Sequence, residues 1–132
     1  MKFDSFKICN GVVKTKPRHE ESSIQKRCVA WFHYQWPRHI CFAVPNGGAR
    51  NKAEACIMKG DGVLAGVSDL IVVGDGRILF VEMKTQRGKQ SPTQKDFQKR
   101  VESLGHKYVV CRSLDSFIEE INKFMKDGKD NC

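Results

Sequence analysis

Asp69, Glu82 and Lys84 bracket one apolar hairpin, SDLIVVGDGRILFVEMK, residues 68 to 84. If Asp75-Gly76 forms a two-residue turn, the favoured tight connection, Gly74 pairs with Arg77 and Asp69 falls opposite Glu82. Alternate residues of a strand share a face. Ile78, Phe80, Glu82 and Lys84 therefore form one row, and Leu79, Val81 and Met83 the other. Both rows are apolar for most of their length, which predicts a central strand covered on both sides. Directly opposed residues on one face have Cβ atoms roughly 4.5–5.5 Å apart, so two carboxylates would be pressed together on a semi-buried surface. A divalent cation compensates such a pair, and hard oxygen ligands suit Mg²⁺. Lys84 adds a positive charge on the same row. The competing reading makes Glu82 and Lys84 solvated strand-end residues and Asp69 a cap, and a three-residue loop would shift the register.

The elements around the hairpin are legible from period and punctuation. Ile24, Cys28, Trp31 and Phe32 place one apolar face on a helix over 19–35, ended by Pro37. ICFAV, 40–44, reads as a strand, PNGGARN as a tight loop, 51–59 as a short helix with Ala53, Cys56 and Ile57 inward, and GDGVLAG as a connector. After the hairpin, TQRGKQ is a basic loop. Ser91-Pro92-Thr93-Gln94 opens a helix, with Ser as N-cap, Pro in the first turn and Gln completing a capping box. Phe97, Val101 and Leu104 are its inner face and Gly105 its stop. KYVVC, 107–111, is a strand, and a last helix over about 114–126 buries Phe117, Ile121, Phe124 and Met125. Trp31, Phe32, Tyr34 and Trp36 read as core or interface rather than base-stacking residues. The order is one of a mixed β-sheet flanked by α-helices, an α/β fold. Residues 18–126 are expected to form one domain, between an N-terminal arm (1–17) and a C-terminal tail (127–132) expected to fray.

The chain has 132 residues and a net charge of +8, from 23 Lys and Arg against 15 Asp and Glu. Such a surplus favours a polyanionic partner, most simply nucleic acid. No apolar run approaches the ~20 residues of a membrane span, and the N-terminal stretch lacks a signal-peptide core. The six cysteines form no C-x-x-C or zinc-finger spacing. Reduced core thiols and an intracellular location, the bacterial cytoplasm with phage origin in view, are the expectation.

Other residues add to the hairpin's chemistry. Gln94 satisfies the capping box and also lies on the inward stripe with Phe97. Glu21 shares a stripe with Ile24 and Cys28 near the start of its helix; Glu20 lies on nearly the same stripe, and both also suit a helix N-terminus. In PNGGAR, Asn46, Gly47 and Gly48 let backbone N–H groups approach a phosphate, and Arg50 offers a bidentate donor. Lys52, Lys59, Arg87 and Lys89 are candidate phosphate contacts. The plain alternative for each is a turn or a solvated charge.

The residues together resemble a known family. D-x₁₂-E-x-K across two paired strands is similar to the PD-(D/E)XK nuclease signature, and more closely to its VRR-NUC family. The likeness spans about residues 21 to 111. It rests on Glu21-Ser-Ser-Ile-Gln25, Pro45-Asn-Gly-Gly48 with Arg50, Lys59 with Gly62, Gly66-Val-Ser-Asp69, Glu82-Met-Lys84 and Ser91-Pro-Thr-Gln94. Where the superfamily signature expects Pro, this chain has Ser68, a position facing away from the site if Asp69 faces in. The resemblance implies a restriction-endonuclease-like core. It implies that Asp69, Glu82 and the backbone carbonyl of Met83 bind Mg²⁺ or Mn²⁺. It also implies that Lys84 handles the attacking water, that Gln94 acts beside it, and that Glu21 reaches the metal directly or through water. Small stand-alone members are expected to be homodimers acting on branched DNA, which points to Holliday-junction resolution. A flap or end-processing nuclease, a non-catalytic nucleic-acid-binding module and an interaction protein with incidental charge are the rivals.

Overall fold

The computed structural model describes residues 17–45 and 51–130. The elements run α1 (Pro17–Gln35), β1 (Ile40–Ala43), α2 (Lys52–Gly60), β2 (Leu70–Val73), β3 (Ile78–Met83), α3 (Pro92–Ser103), β4 (Lys107–Cys111) and α4 (Leu114–Asp130). This is the expected order, and Pro17, assigned to the arm, opens the first helical turn instead. The strands form one mixed sheet in the order β1-β2-β3-β4. β1, β2 and β3 are antiparallel neighbours, and β4 runs parallel to β3. A parallel pair needs a crossover, and α3 supplies it.

The two rows of β3 face two different layers. Leu79, Val81 and Met83 join Leu70, Val72, Cys41 and Cys111 beneath α1 and α4, which contribute Cys28, Phe32, Phe117, Ile121 and Phe124. Phe80, on the other row, packs with Phe97, Val101 and Tyr108 under α3, its ring meeting Phe97 edge-on at 5.3 Å. β3 is thus central and covered on both sides. Cys28, Cys41 and Cys111 are buried free thiols. Burial pushes each of them up to about 12, so they are packing groups rather than nucleophiles.

Three local expectations need correction. No residue of α2 is buried, and Ile57 is 64% exposed. The helix is held by its cap, Asn51 Oδ1 accepting the Glu54 N–H at 2.8 Å, and the side lining a shallow hollow with Val63 and Leu64 carries Ala55 and Met58. Leu104 is 76% exposed: α3 ends one residue before it, so as C-cap it leaves the helical stripe. The last helix runs to Asp130 rather than ending near 126. Arg77, reaching from the hairpin turn, donates to the Phe124 carbonyl at 3.1 Å and lies 5.0 Å over the Phe124 ring. The same guanidinium lies 3.7 Å from where a Cβ on Gly128 would sit, so the hairpin turn packs against the helix beyond residue 126. No helix among the described residues is long and apolar enough to cross a membrane.

Candidate active site

The hairpin register is the one the two-residue turn dictates. The Gly74 N–H donates to the Arg77 carbonyl at 2.9 Å, Gly76 takes a positive φ of 74°, and Leu70 pairs with Val81. One step further places Asp69 opposite Glu82. The Asp69 backbone carbonyl continues the β1 pairing by accepting from the Val44 N–H at 2.9 Å. Its side chain turns to β3, where Oδ2 accepts the Met83 N–H at 2.8 Å. The Asp69 carboxylate then stands within hydrogen-bond reach of Glu82.

Glu82 is only 2% exposed. Gln94 Nε2 donates to its Oε1 at 3.0 Å, and the Tyr108 hydroxyl donates to its Oε2 at 3.3 Å. Lys84 Nζ, on the same row, lies 3.7 Å from Oε1. Burial, and after it the Asp69 carboxylate, pushes the Glu82 carboxyl from its ordinary 4.5 up to about 8; Lys84 and Tyr108 pull it partly back. The Tyr108 phenol is itself pushed upward, first by burial and then by Glu82, so it stays an O–H donor.

The capping box explains why Gln94 serves this site. Its Oε1 accepts the Ser91 N–H at 2.8 Å, while Ser91 Oγ accepts the Gln94 N–H at 3.2 Å. That leaves the amide NH₂ aimed at Glu82. A glutamate at this position could complete the same box, but it would bring a third carboxylate against the pair. The two roles of Gln94 are one geometry.

Tyr108, Gln90 and Gln98 were not singled out from the sequence. Gln90 Nε2 donates to the Tyr108 hydroxyl at 3.2 Å and to Gln98 Oε1 at 3.0 Å, which fixes the direction of the Tyr108–Glu82 bond. Gln98 carried a usable signal: it shares the helical stripe of Gln94, Phe97 and Val101, where a polar residue is out of place. Gly66 also belongs to the site. At φ +85° it lies so close to α3 that a Cβ there would meet the Thr93 carbonyl oxygen at 2.4 Å, and the following Val67 packs into the cluster under α3. Ser68 is fully buried, its Oγ donating to the Leu70 carbonyl at 3.1 Å.

The remaining candidates are spread out. Glu21 is half-buried on α1 and Glu20 exposed. α1 packs on the Leu79–Met83 row, the face opposite Glu82, and no three His, Cys, Asp or Glu side chains among the described residues form a metal-holding group. Lys52, Lys59, Arg87 and Lys89 are exposed. Asn46, Gly47, Gly48 and Arg50 lie outside the described residues.

A buried carboxylate, Glu82, beside a half-buried one, Asp69, braced by two neutral donors and approached by one ammonium group, is suited to hold a hard cation against an anionic substrate. A solved structure described as a VRR_NUC domain protein is similar to this chain with a TM-score of 0.65 at 24% identity, covering 86% of this chain and 92% of that one. No curated protein matches the sequence. The family model for the VRR-NUC domain matches residues 13–115. With most of its length inside that match, the chain belongs to the VRR-NUC family of nuclease domains.

Proposed function

We propose that this nuclease domain is a divalent-metal-dependent DNA endonuclease that cuts branched DNA, four-way junctions foremost, as a homodimer. The observation that carries the reading is the Asp69–Glu82 pair with Lys84 beside it. The donor set fits Mg²⁺ or Mn²⁺: two oxygen-donor side chains within reach of each other, with the carbonyl of Met83 at the same strand end. Mg²⁺ commonly takes one or two carboxylates and completes its shell with water and substrate phosphate. Asp69, Glu82 and the Met83 carbonyl would hold the ion; Glu21, on the helix against the other face of the sheet, is left out of this set. When bound, the metal polarises the scissile phosphate and lowers the pKa of a coordinated water.

The protein's own groups do the rest. Lys84 places a positive charge where negative charge grows on the phosphate, a preorganised contribution, and orients the attacking water. Gln94 and Tyr108 hold the two Glu82 oxygens in fixed directions. The surplus of basic residues supplies the phosphate contacts, Lys52, Lys59, Arg87, Lys89 and Arg50 with the Asn46–Gly48 backbone among them. A two-fold dimer presents two sites, which suits paired cuts across a junction.

The test is cleavage of labelled four-way junction, flap, duplex and single-stranded DNA with Mn²⁺, Mg²⁺ or EDTA, beside Asp69→Asn. Paired metal-dependent cuts confined to the junction, from a protein that light scattering shows to be dimeric, are expected. Cuts at flaps alone would replace the resolvase reading by an end-processing one. Tight binding without cutting in any metal would leave a non-catalytic module. Tyr108→Phe removes one donor to Glu82 and is expected to weaken Mn²⁺ binding by roughly 10-fold, the scale of a lost ligand-orienting partner. Calorimetric titration with Mn²⁺ checks this.

A further inference from the structure

Arg112, the residue after β4, has no part in the site as described above. Its Nη1 donates to the carbonyls of Thr85 at 2.6 Å and Gly88 at 2.7 Å, with the Gln86 carbonyl at 3.4 Å. All three belong to the segment joining β3 to α3. The sheet register brings Arg112 there: Met83 pairs with Cys111, and the Lys84 N–H donates to the Cys111 carbonyl at 3.0 Å. The next residue of β4 therefore arrives beside the next residues after β3.

The segment it holds begins at Lys84 and carries the exposed Arg87 and Lys89. It is a closed turn, the Gly88 N–H donating to the Thr85 carbonyl at 3.1 Å. It also lies against the lysine: a Cβ on Gly88 would meet Thr85 Oγ1 at 3.1 Å and Lys84 Cδ at 3.4 Å. At its end Gln90 donates to the Tyr108 hydroxyl. Among the described residues no ion pair joins Arg112 to a carboxylate; its guanidinium is turned into the segment, onto the carbonyl oxygens.

We propose that Arg112 is a positioning residue: it staples the 85–88 turn so that Arg87 and Lys89 are presented as a fixed pair of phosphate contacts next to Lys84. The proposal rests on the nuclease reading above and names the part of the surface that grips the DNA backbone. In a loose turn both side chains swing, and the ordering entropy of seating them exceeds what two exposed phosphate contacts return, so the contacts are not made; the staple removes that cost in advance.

Arg112→Met keeps the length of the side chain and removes its donors. In EDTA, so that nothing is cut, its affinity for a labelled four-way junction is expected to fall by roughly 10-fold, with the log–log salt slope reduced by about 2 for two lost phosphate contacts. Arg87→Ala/Lys89→Ala should give the same change, and the triple variant no more than either, since the effects pass through the same two groups. Limited trypsin digestion supplies a readout free of DNA: the Arg112 variant should be cut after Arg87 and Lys89 many times faster than wild type. A folded Arg112→Met protein with wild-type salt slope, or additive losses in the triple variant, overturns the proposal. If Arg112→Met does not fold, Arg112→Gln takes its place under the same criteria. Wild-type protein that neither binds nor cuts any DNA defeats the nuclease reading, while the trypsin comparison still decides whether Arg112 holds the turn.

Discussion

Glu82→Gln is expected to lower cleavage by on the order of 10³-fold or more, as the loss of a preorganised charge-stabilising group does, and at the same time to raise the melting temperature at pH 8. The second effect follows from the shifted carboxyl. In the folded protein Glu82 holds its proton up to about 8, against an ordinary 4.5. Between those values the folded state binds more protons than the unfolded chain, so stability falls as pH rises. The contribution is full below about 4.5 and is lost as pH passes through about 8. Glutamine has no charge to bury and an NH₂ that can donate to Asp69; it keeps the acceptor oxygen for Gln94 and gives up only the long 3.3 Å bond from the Tyr108 hydroxyl. Thermal scans in EDTA should show the variant melting about 4 °C or more above wild type at pH 8, the shift of roughly 1 kcal/mol in a domain of this size. At pH 5 the two should nearly coincide. A variant no more stable than wild type at pH 8 would mean that Glu82 is not held as a costly buried carboxylate. The pattern expected is that of a functional group retained against stability.

Gly66→Ala should be the most damaging glycine-to-alanine change among the described residues. The backbone there has φ +85°, and the new Cβ would lie 2.4 Å from the Thr93 carbonyl oxygen and 2.6 Å from its carbon. Both obstacles are backbone at the capped start of α3, which cannot rotate away. Left-handed strain costs about 1–2 kcal/mol and forced overpacking about 1–3 kcal/mol, together a large share of a typical ~5–15 kcal/mol of stability. Gly62 is the matched control: its φ is +97°, yet a Cβ there meets nothing within 4 Å, so Gly62→Ala pays the strain alone. Urea midpoints of the two variants isolate the contact with α3. Gly66→Ala should unfold at clearly lower urea. Where it still folds it should cut poorly, because parting residues 66–69 from α3 moves Asp69 away from Glu82 and Gln94. Equal midpoints would show that the Gly66–Thr93 approach carries no energy.

Part of this architecture could be read directly from the chain because the determinants are local. The Asp75-Gly76 turn and the alternation of β3 fix a register, and the register alone sets Asp69 against Glu82. Ser91 and Gln94 announce the start of α3, and their reciprocal bonds are the ones that point Gln94 at the site. What could not be read depends on partners distant in sequence. The parallel register of β3 and β4 follows from how α3 packs, so nothing near Tyr108 or Arg112 shows that one meets Glu82 and the other the 85–88 turn. Periodicity in α2 shows which residues could be buried together, not whether a surface exists to bury them, and Cys56 and Ile57 stay exposed. The contact of Arg77 with α4 likewise joins a hairpin residue to a distant helix, with no signal in the helix's own sequence.

The placement of the site within residues 66–112 has a kinetic consequence. Asp69, Glu82, Lys84, Gln94, Tyr108 and Arg112 are joined by a two-residue turn and one helical crossover, connections with little loop entropy to overcome. The opposite layer must bring α1 and α4 together from the two ends of the chain, as in the edge-on contact of Trp31 with Phe117. Contacts of short sequence separation form fastest. The β2–β3 pair and its α3 brace should therefore gain protection from hydrogen exchange early in refolding, before the α1–α4 layer closes.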